Sequence, residues 1–446
     1  MLNLKKKLYL CEIITINFLD MIKSIFFALC FFISVTACTQ QASENWTQFR
    51  GPNGQGISTA TGLPITWSTT DNVAWKTPIP GEGWSSPIVW NEHIFVTTAT
   101  NEGRNCHVIA VNRRTGAVLW DKLVFTQEPN QRRHPMNSYS TPTPVTDGET
   151  VYSVFSDGSI IALDFNGNVK WVNRDLDFYS QHGKGTSPIL YNDLLIIAVN
   201  HSNREEPLRM GWQLPWEHSF LLAIDKNTGR ERWRGTRGMS RIAHSTPVIM
   251  EVNGRDQIIS VAGDVIQGFD PSNGRLIWTA NSDGEPCVPT PSIGNGMVFS
   301  SPHGGAAIRA VRANGQGDVT ETHIAWQGAR NSPMMSSFLF IEPYLYMATN
   351  SNNFICLNAD TGEQIWQVQL DIGGINPSPL YADGKIYVLS ESGVTAVLKL
   401  QADLTKPAEI IATNRLDSEE YHRASMAVAG KQLIIRSANH LWCIGK

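Results

Sequence analysis

The sequence predicts an all-β fold, an eight-bladed β-propeller of four-stranded blades whose last blade is closed by an N-terminal strand. Three observations carry that prediction. First, one unit recurs, as in "VIAVNRRTGAVLW", "IIALDFNGNVKW", "LLAIDKNTGRERW", "VIQGFDPSNGRLIW" and "FICLNADTGEQIW", with "IRAVRANGQGDVTETHIAW" as a copy with a longer turn. Each is an apolar strand, a glycine-containing turn and a strand ending in Trp. Second, the terminal tryptophans Trp75, Trp120, Trp171, Trp233, Trp278, Trp326 and Trp366 are spaced by 45, 51, 62, 45, 48 and 40 residues, which suits one four-stranded sheet per repeat. Third, eight short pairs lead into the repeats: Ser86-Pro87, Thr143-Pro144, Ser187-Pro188, Thr246-Pro247, Thr290-Pro291, Ser336-Ser337, Ser378-Pro379 and Ala424-Ser425.

In chain order, residues 1–38 read as a targeting segment. Lys5 to Lys7 and Lys23 flank apolar runs, and "SIFFALCFFISVTAC" is a short hydrophobic region ending at small residues, the pattern of an export signal. Asp20 interrupts the apolar pattern, which makes Met21 a second candidate start. "VTAC" (Val35 to Cys38) resembles a bacterial lipobox, so Cys38 is the expected lipidation site. The mature protein is then exported and membrane-anchored, facing the periplasm or the cell surface. Residues 39–70 read as a tether and lead-in, and 71–446 as the propeller.

Within each repeat, proline opens the inner strand, where no ladder hydrogen bond is lost. An Asp or Asn followed by Gly supplies the positive φ of a tight hairpin. The two ends interlock. "ASMAVAGKQLIIRSANHLWCIGK" supplies three strands without a fourth, and "DNVAWKTPIP" is a Trp-bearing fourth strand without a blade before it. Joining them removes the exposed edges of an open array. Seven cysteines occur, three in the targeting segment; Cys106, Cys287, Cys356 and Cys443 show no CxxC spacing and read as small buried residues.

The repeat "AIDKNTGRERW", with the opening "WTQFRGPNGQGIS" and "NVAWKTPIPGEGWSSPIVW", resembles secreted bacterial PQQ-like propeller proteins. More loosely, the chain is similar to the propeller lipoprotein of the outer-membrane barrel-assembly machinery. That resemblance implies a non-catalytic eight-bladed scaffold that binds a protein partner. Quinone dehydrogenases with such repeats use a vicinal Cys-Cys disulfide and a calcium held by Glu, Asn and Asp. The sequence has no Cys-Cys pair, so neither PQQ nor calcium is expected.

Polar residues concentrate in the loops that lead into the blades, which share one face of the ring. They include Trp84, then Arg132, Arg133, His134, Asn137 and Tyr139, then His182 and Lys184, then Arg241 and His244, then Arg330 and Asn331, Asn376, Tyr421, His422 and Arg423. The third blade adds an expanded turn, "NHSNREEPLRMGWQLPWEH", with Trp212, Trp216, Arg204 and Arg209. These residues predict a cationic, aromatic mouth. Its expected occupant is a protein partner or an anionic carbohydrate, with Arg and Lys meeting carboxylates and Trp stacking. The alternative is an enzyme acting on an acidic polysaccharide: His134 or His244 as base, Tyr139 as acid and Arg241 neutralising the uronate would suit a lyase. A quinone-dependent oxidoreductase is the third reading. The histidines lack HxH or HExxH spacing, so no metal site is predicted. With 36 basic against 40 acidic residues, nucleic acid is not an expected partner. The protein reads as a monomeric binding or assembly scaffold.

Overall fold

A computed structural model describes residues 45–127, 132–207, 210–282, 284–302, 307–328, 331–416 and 419–445. Among the described residues no helix occurs, and eight sheets form the blades. Seven blades span residues 88–126, 145–173, 189–236, 248–281, 292–328, 339–369 and 380–415, each antiparallel from an inner to an outer strand. The eighth is composite. Its three inner strands end in His440–Ile444, and Val73–Pro78 completes it, with Lys76 opposite Trp442 and Thr77 opposite Leu441.

The outer-strand tryptophans lock neighbouring blades together. Trp75 donates its indole N–H to the Arg113 carbonyl at 2.8 Å, Trp120 to Phe165 at 2.8 Å, Trp171 to Lys226 at 2.8 Å and Trp326 to Ala359 at 2.7 Å. Each acceptor lies in the following blade's Gly turn, and the ring packs flat on that glycine. At Gly229 a Cβ would come within 2.5 Å of the Trp171 ring, and φ is +72°. This is why the repeat couples Trp in one blade to Gly in the next. Trp278 departs from the pattern: it is fully buried and bonds Gln257 within its own blade.

The blade-leading pairs solve a second problem, at the axis. Ser86 donates its backbone N–H to Thr143 Oγ1 at 2.8 Å, Thr143 to Ser187 Oγ at 2.9 Å and Ser187 to Thr246 Oγ1 at 3.1 Å. Thr290 continues to Ser337, Ser337 to Ser378, Ser378 to Ser425, and Ser425 to Ser86, each at 3.0 Å. Seven of eight seams are thus stitched by a hydroxyl accepting the neighbour's amide. The hydroxyl, not the proline, is the constant: in the sixth and eighth blades Ser337 and Ser425 occupy the position, followed by Phe338 and Met426. At the remaining seam, Thr290 Oγ1 is buried with no partner. There the leading loops are joined instead by a parallel bridge between Ala243 and Cys287, and His244 N–H donates to the Cys287 carbonyl at 2.7 Å.

Residues 45–58, part of the predicted lead-in, plug the axial channel. Trp46 bridges Val89 of the first inner strand, and Thr146 of the second donates to the Thr47 carbonyl at 2.9 Å. Gln55 accepts from Ile293 N–H in the fifth blade at 3.1 Å, and Ile57–Ser58 pairs in parallel with Tyr381 and Ala382 in the seventh. Trp46 runs antiparallel to its inner strand and Ile57–Ser58 parallel to its own. The segment therefore rises from the face opposite the leading loops, turns, and descends. Gly51, Gly54 and Gly56 all take positive φ in that turn. Arg50 is buried there without a carboxylate: its guanidinium donates to the carbonyls of Gly54, Gln55 and Phe338. Burial lowers its pKa to about 9, so it remains a cation at neutral pH. Beyond the plug, Trp67 is held by Asn414, which accepts the Trp67 N–H at 2.8 Å and donates to the Ile65 carbonyl at 2.8 Å.

Candidate functional site

The face carrying the leading loops opens into a cavity of about 630 Å³. The hydroxyl ring forms its lower wall, with Ser86, Thr143, Ser187, Thr246, Ser337, Ser378 and Ser425 all lining it. The plug's Phe49 contributes from the axis, so the cavity has a floor rather than a through-channel.

Three of the predicted histidines meet on one side. The His182 ring lies 5.4 Å from His134, 5.9 Å from His244 and 5.1 Å from Trp212. They come from three successive leading loops, and Gly185 makes the approach possible, since a Cβ there would lie 2.9 Å from His244 Cβ. His244 is held at about 3, mainly by burial and then by His182, Lys184 and His134. It is therefore a neutral imidazole at physiological pH. His134 Nδ1 accepts the Met136 N–H at 3.2 Å.

Trp84, Asn137, His182, Trp212 and Arg423 of the predicted binding residues line the cavity, as do His134 and His244. Arg133, Lys184, Trp216 and His422 do not. Arg133 turns aside to Glu82 at 3.0 Å and lies over the Tyr139 ring at 4.7 Å. Lys184 is buried over Phe178, donating to the Ala198 carbonyl at 3.3 Å, and burial lowers its pKa to about 7. Trp216 stacks on His218 at 4.1 Å. His422 is buried, with Nδ1 donating to the Glu420 carbonyl at 3.0 Å. Arg330, Arg209 and Cys38 lie outside the described residues.

The proposed catalytic quartet is not assembled. His134 and His244 face the cavity, whereas Tyr139 and Arg241 are not among its lining residues. Tyr139 packs flat on Gly103, where a Cβ would sit 2.3 Å from its Cγ. The Arg241 guanidinium donates to the Gly284 carbonyl, and its backbone N–H to Asp264 at 2.8 Å.

The predicted cationic character is also redirected. Arg423, the cation at the wall, is paired with Glu391 at 2.7 Å, and its guanidinium lies 5.3 Å from the Trp84 ring. Arg204 is spent on Asp177 at 2.8 Å. Sequence reasoning missed the apolar component: Met136, Met334, Met335, Pro286 and Val288 line the cavity together with Phe49. The "SPMMSS" run lies in a leading loop, so its position alone was a usable signal.

A quinone held with calcium needs hard oxygen ligands, chiefly carboxylates. Among the described residues none that lines the cavity is Asp or Glu, and the imidazoles and thioethers there suit softer ions. The cavity's donors do not fit that cofactor pair.

A family model described as outer membrane protein assembly factor BamB, built on PQQ repeats, matches residues 54–216, 217–341 and 326–440. The chain belongs to this family. Among solved structures, BamB from Moraxella catarrhalis is similar at 15% identity, covering 84% of this chain and 98% of that one, with a TM-score of 0.54. A europium-containing methanol dehydrogenase is similar at 11% identity over 90% of this chain and 91% of that one, with a TM-score of 0.65. A computationally designed protein, Ika8, reaches 0.56 at 8% identity, covering 83% and 99%. At such identities the likeness establishes the propeller fold, on which scaffolds and enzymes both occur. No curated protein matches the chain by sequence.

Proposed function

We propose that this BamB-family propeller is a binding and assembly scaffold whose mouth receives an apolar segment of a protein partner. The observation that carries the reading is the composition of the cavity wall: three thioethers, Trp84, Trp212 and neutral imidazole, with the arginines committed to carboxylates. Methionine-rich surfaces adapt to varied apolar side chains, and Trp is enriched where binding energy concentrates. Among the described lining residues an anionic polysaccharide finds no uncommitted cation, and the separation of Tyr139 and Arg241 from the cavity removes support for the lyase.

The reading places the protein outside the cytoplasm, anchored through Cys38, supported by the lipobox-like "VTAC" and by the family's outer-membrane description. Metabolic palmitate labelling of wild type and Cys38→Ala tests the anchor; label retained in the variant sinks it. The mouth is tested by placing a photoreactive side chain at Met335 and, as control, at Lys399 on the seventh blade's exposed surface. Illumination in cells is expected to give a protein adduct at Met335 that Trp212→Ala weakens. Adducts equal at both positions, or a carbohydrate adduct at Met335, would overturn the reading.

A further inference from the structure

The first blade has the longer apolar outer edge, with three exposed apolar side chains, where the second blade's shorter Val169–Asn173 exposes Val169 and Val172. The first blade's outer strand, Val118–Thr126, is 9 residues long and lies at the sheet edge. Val118, Leu119 and Leu123 are 46%, 44% and 50% exposed. Bulges fall at Leu119 and Val124, leaving Trp120 to Leu123 in regular register with their inner partner. By contrast the third blade's outer strand reads Glu-Arg-Trp-Arg, with Arg232 and Arg234 in surface ion pairs. Long, exposed, apolar edges are normally blunted by charge or covered, because their free amides and carbonyls template another strand.

The molecule itself shows what covers such an edge. On the fourth blade, Gly317–Asp318 adds outside Leu276–Asn281 as a parallel strand, with Gly317 opposite Trp278 and Asp318 opposite Thr279. Val319 N–H donates to the Thr279 carbonyl at 2.8 Å, and Asn281 N–H to Thr320 Oγ1 at 2.9 Å. Trp278 and Trp120 are equivalent in the repeat. The regular stretch after Trp120 is thus the counterpart of the position the fourth blade covers from within the chain.

We propose that the first blade's outer edge is a strand-addition site for an extended segment of a different protein. The segment carries branched apolar residues beside Leu119 and Leu123 and a carboxylate near Lys122. Two features select this occupant. Lys122 is exposed, whereas Asp121 is occupied by His107 Nδ1 at 2.8 Å, so the edge presents a cation between apolar residues. A second copy is disfavoured: a two-fold pair using the whole strand is centred on Lys122 and sets Lys122 against Lys122, and like charges directly opposite are destabilising. Backbone hydrogen bonds then supply affinity, and alternate side chains supply specificity. This surface is separate from the mouth and does not depend on what binds there.

The test uses the full mature protein and two labelled nine-residue peptides of alternating Val and Thr, one with central Glu and one with central Lys. The Glu peptide is expected to slow amide hydrogen exchange across residues 118–126 and not at the covered edge 276–281. Leu123→Lys should weaken it at least tenfold, and Lys122→Glu should reverse the preference toward the Lys peptide. Two results overturn the proposal: no peptide-dependent protection of 118–126, or protection indifferent to both substitutions. Concentration-dependent dimerisation abolished by Leu123→Lys would also overturn it, by assigning the edge to a second copy.

Discussion

The hydroxyl ring and the plug lie a few ångströms apart and hold the same axis by opposite means. The ring repeats one interaction, a Ser or Thr hydroxyl accepting its neighbour's amide, at seven seams. The plug uses each residue once: a Trp on the first blade, a buried Arg clamped on carbonyls, a Gln side chain on the fifth, a two-residue strand on the seventh. Repeated chemistry spreads the stability, whereas single-use chemistry concentrates it. Substitutions in the plug should therefore cost more than equivalent ones in the ring.

The largest effect is expected at Trp46, which is 1% exposed. Trp46→Ala removes a buried indole and should destabilise by about 3–5 kcal/mol, read as a shift in denaturant midpoint at constant slope. A loss no larger than that of a ring substitution would break the contrast. Acid comes next. His244 is held at about 3 in the folded protein, below the ordinary imidazole value of about 6.5. The unfolded chain thus binds a proton that the folded chain refuses, and stability rises with pH between those values. The contribution is complete above pH of about 6.5 and is lost as pH falls toward 3, at up to about 1.4 kcal/mol per pH unit. Burial holds His201 low in the same way, at about 4. Midpoints measured from pH 7 to pH 4 should fall, and His244→Gln should flatten the slope.

Within the ring, Ser378→Ala strands the buried Ser337 N–H and should cost about 1–3 kcal/mol. Thr290→Val is the smallest effect and the sharpest discriminator. Its hydroxyl accepts nothing from a neighbouring blade, so replacement by a group of the same shape should change stability by less than about 0.5 kcal/mol. Equal costs at Ser378 and Thr290 would show that the ring's hydroxyls act by packing alone.

The same division explains what could be read from the sequence. Eight blades with their terminal Trp and Gly turns, and the composite closure, were legible because the repeat states its unit many times and the two ends each lack what the other supplies. The plug was not: "WTQFRGPNGQG" has no strand period, its Gly and Pro read as loop, and its partners lie as far away as Phe338 and Pro379. The mouth was half legible. Position in the leading loops placed His134, His182, His244 and Trp84 together, and all four line the cavity. The fate of each charge depended on partners remote in sequence: Glu82 for Arg133, 51 residues away, and Glu391 for Arg423, 32 away. A composition count sees cations there, and only the fold shows that Arg133 and Arg423 are already paired.

The composite blade also sets a schedule. Val73–Pro78 can find its sheet only when His440–Ile444 exists, so the first blade strand made is among the last to settle. Closing a loop that long costs little more entropy than closing a shorter one, but it defers the step. Until His440–Ile444 is synthesised, the chain is an arc with two raw ends, and a product that lacks this strand cannot close.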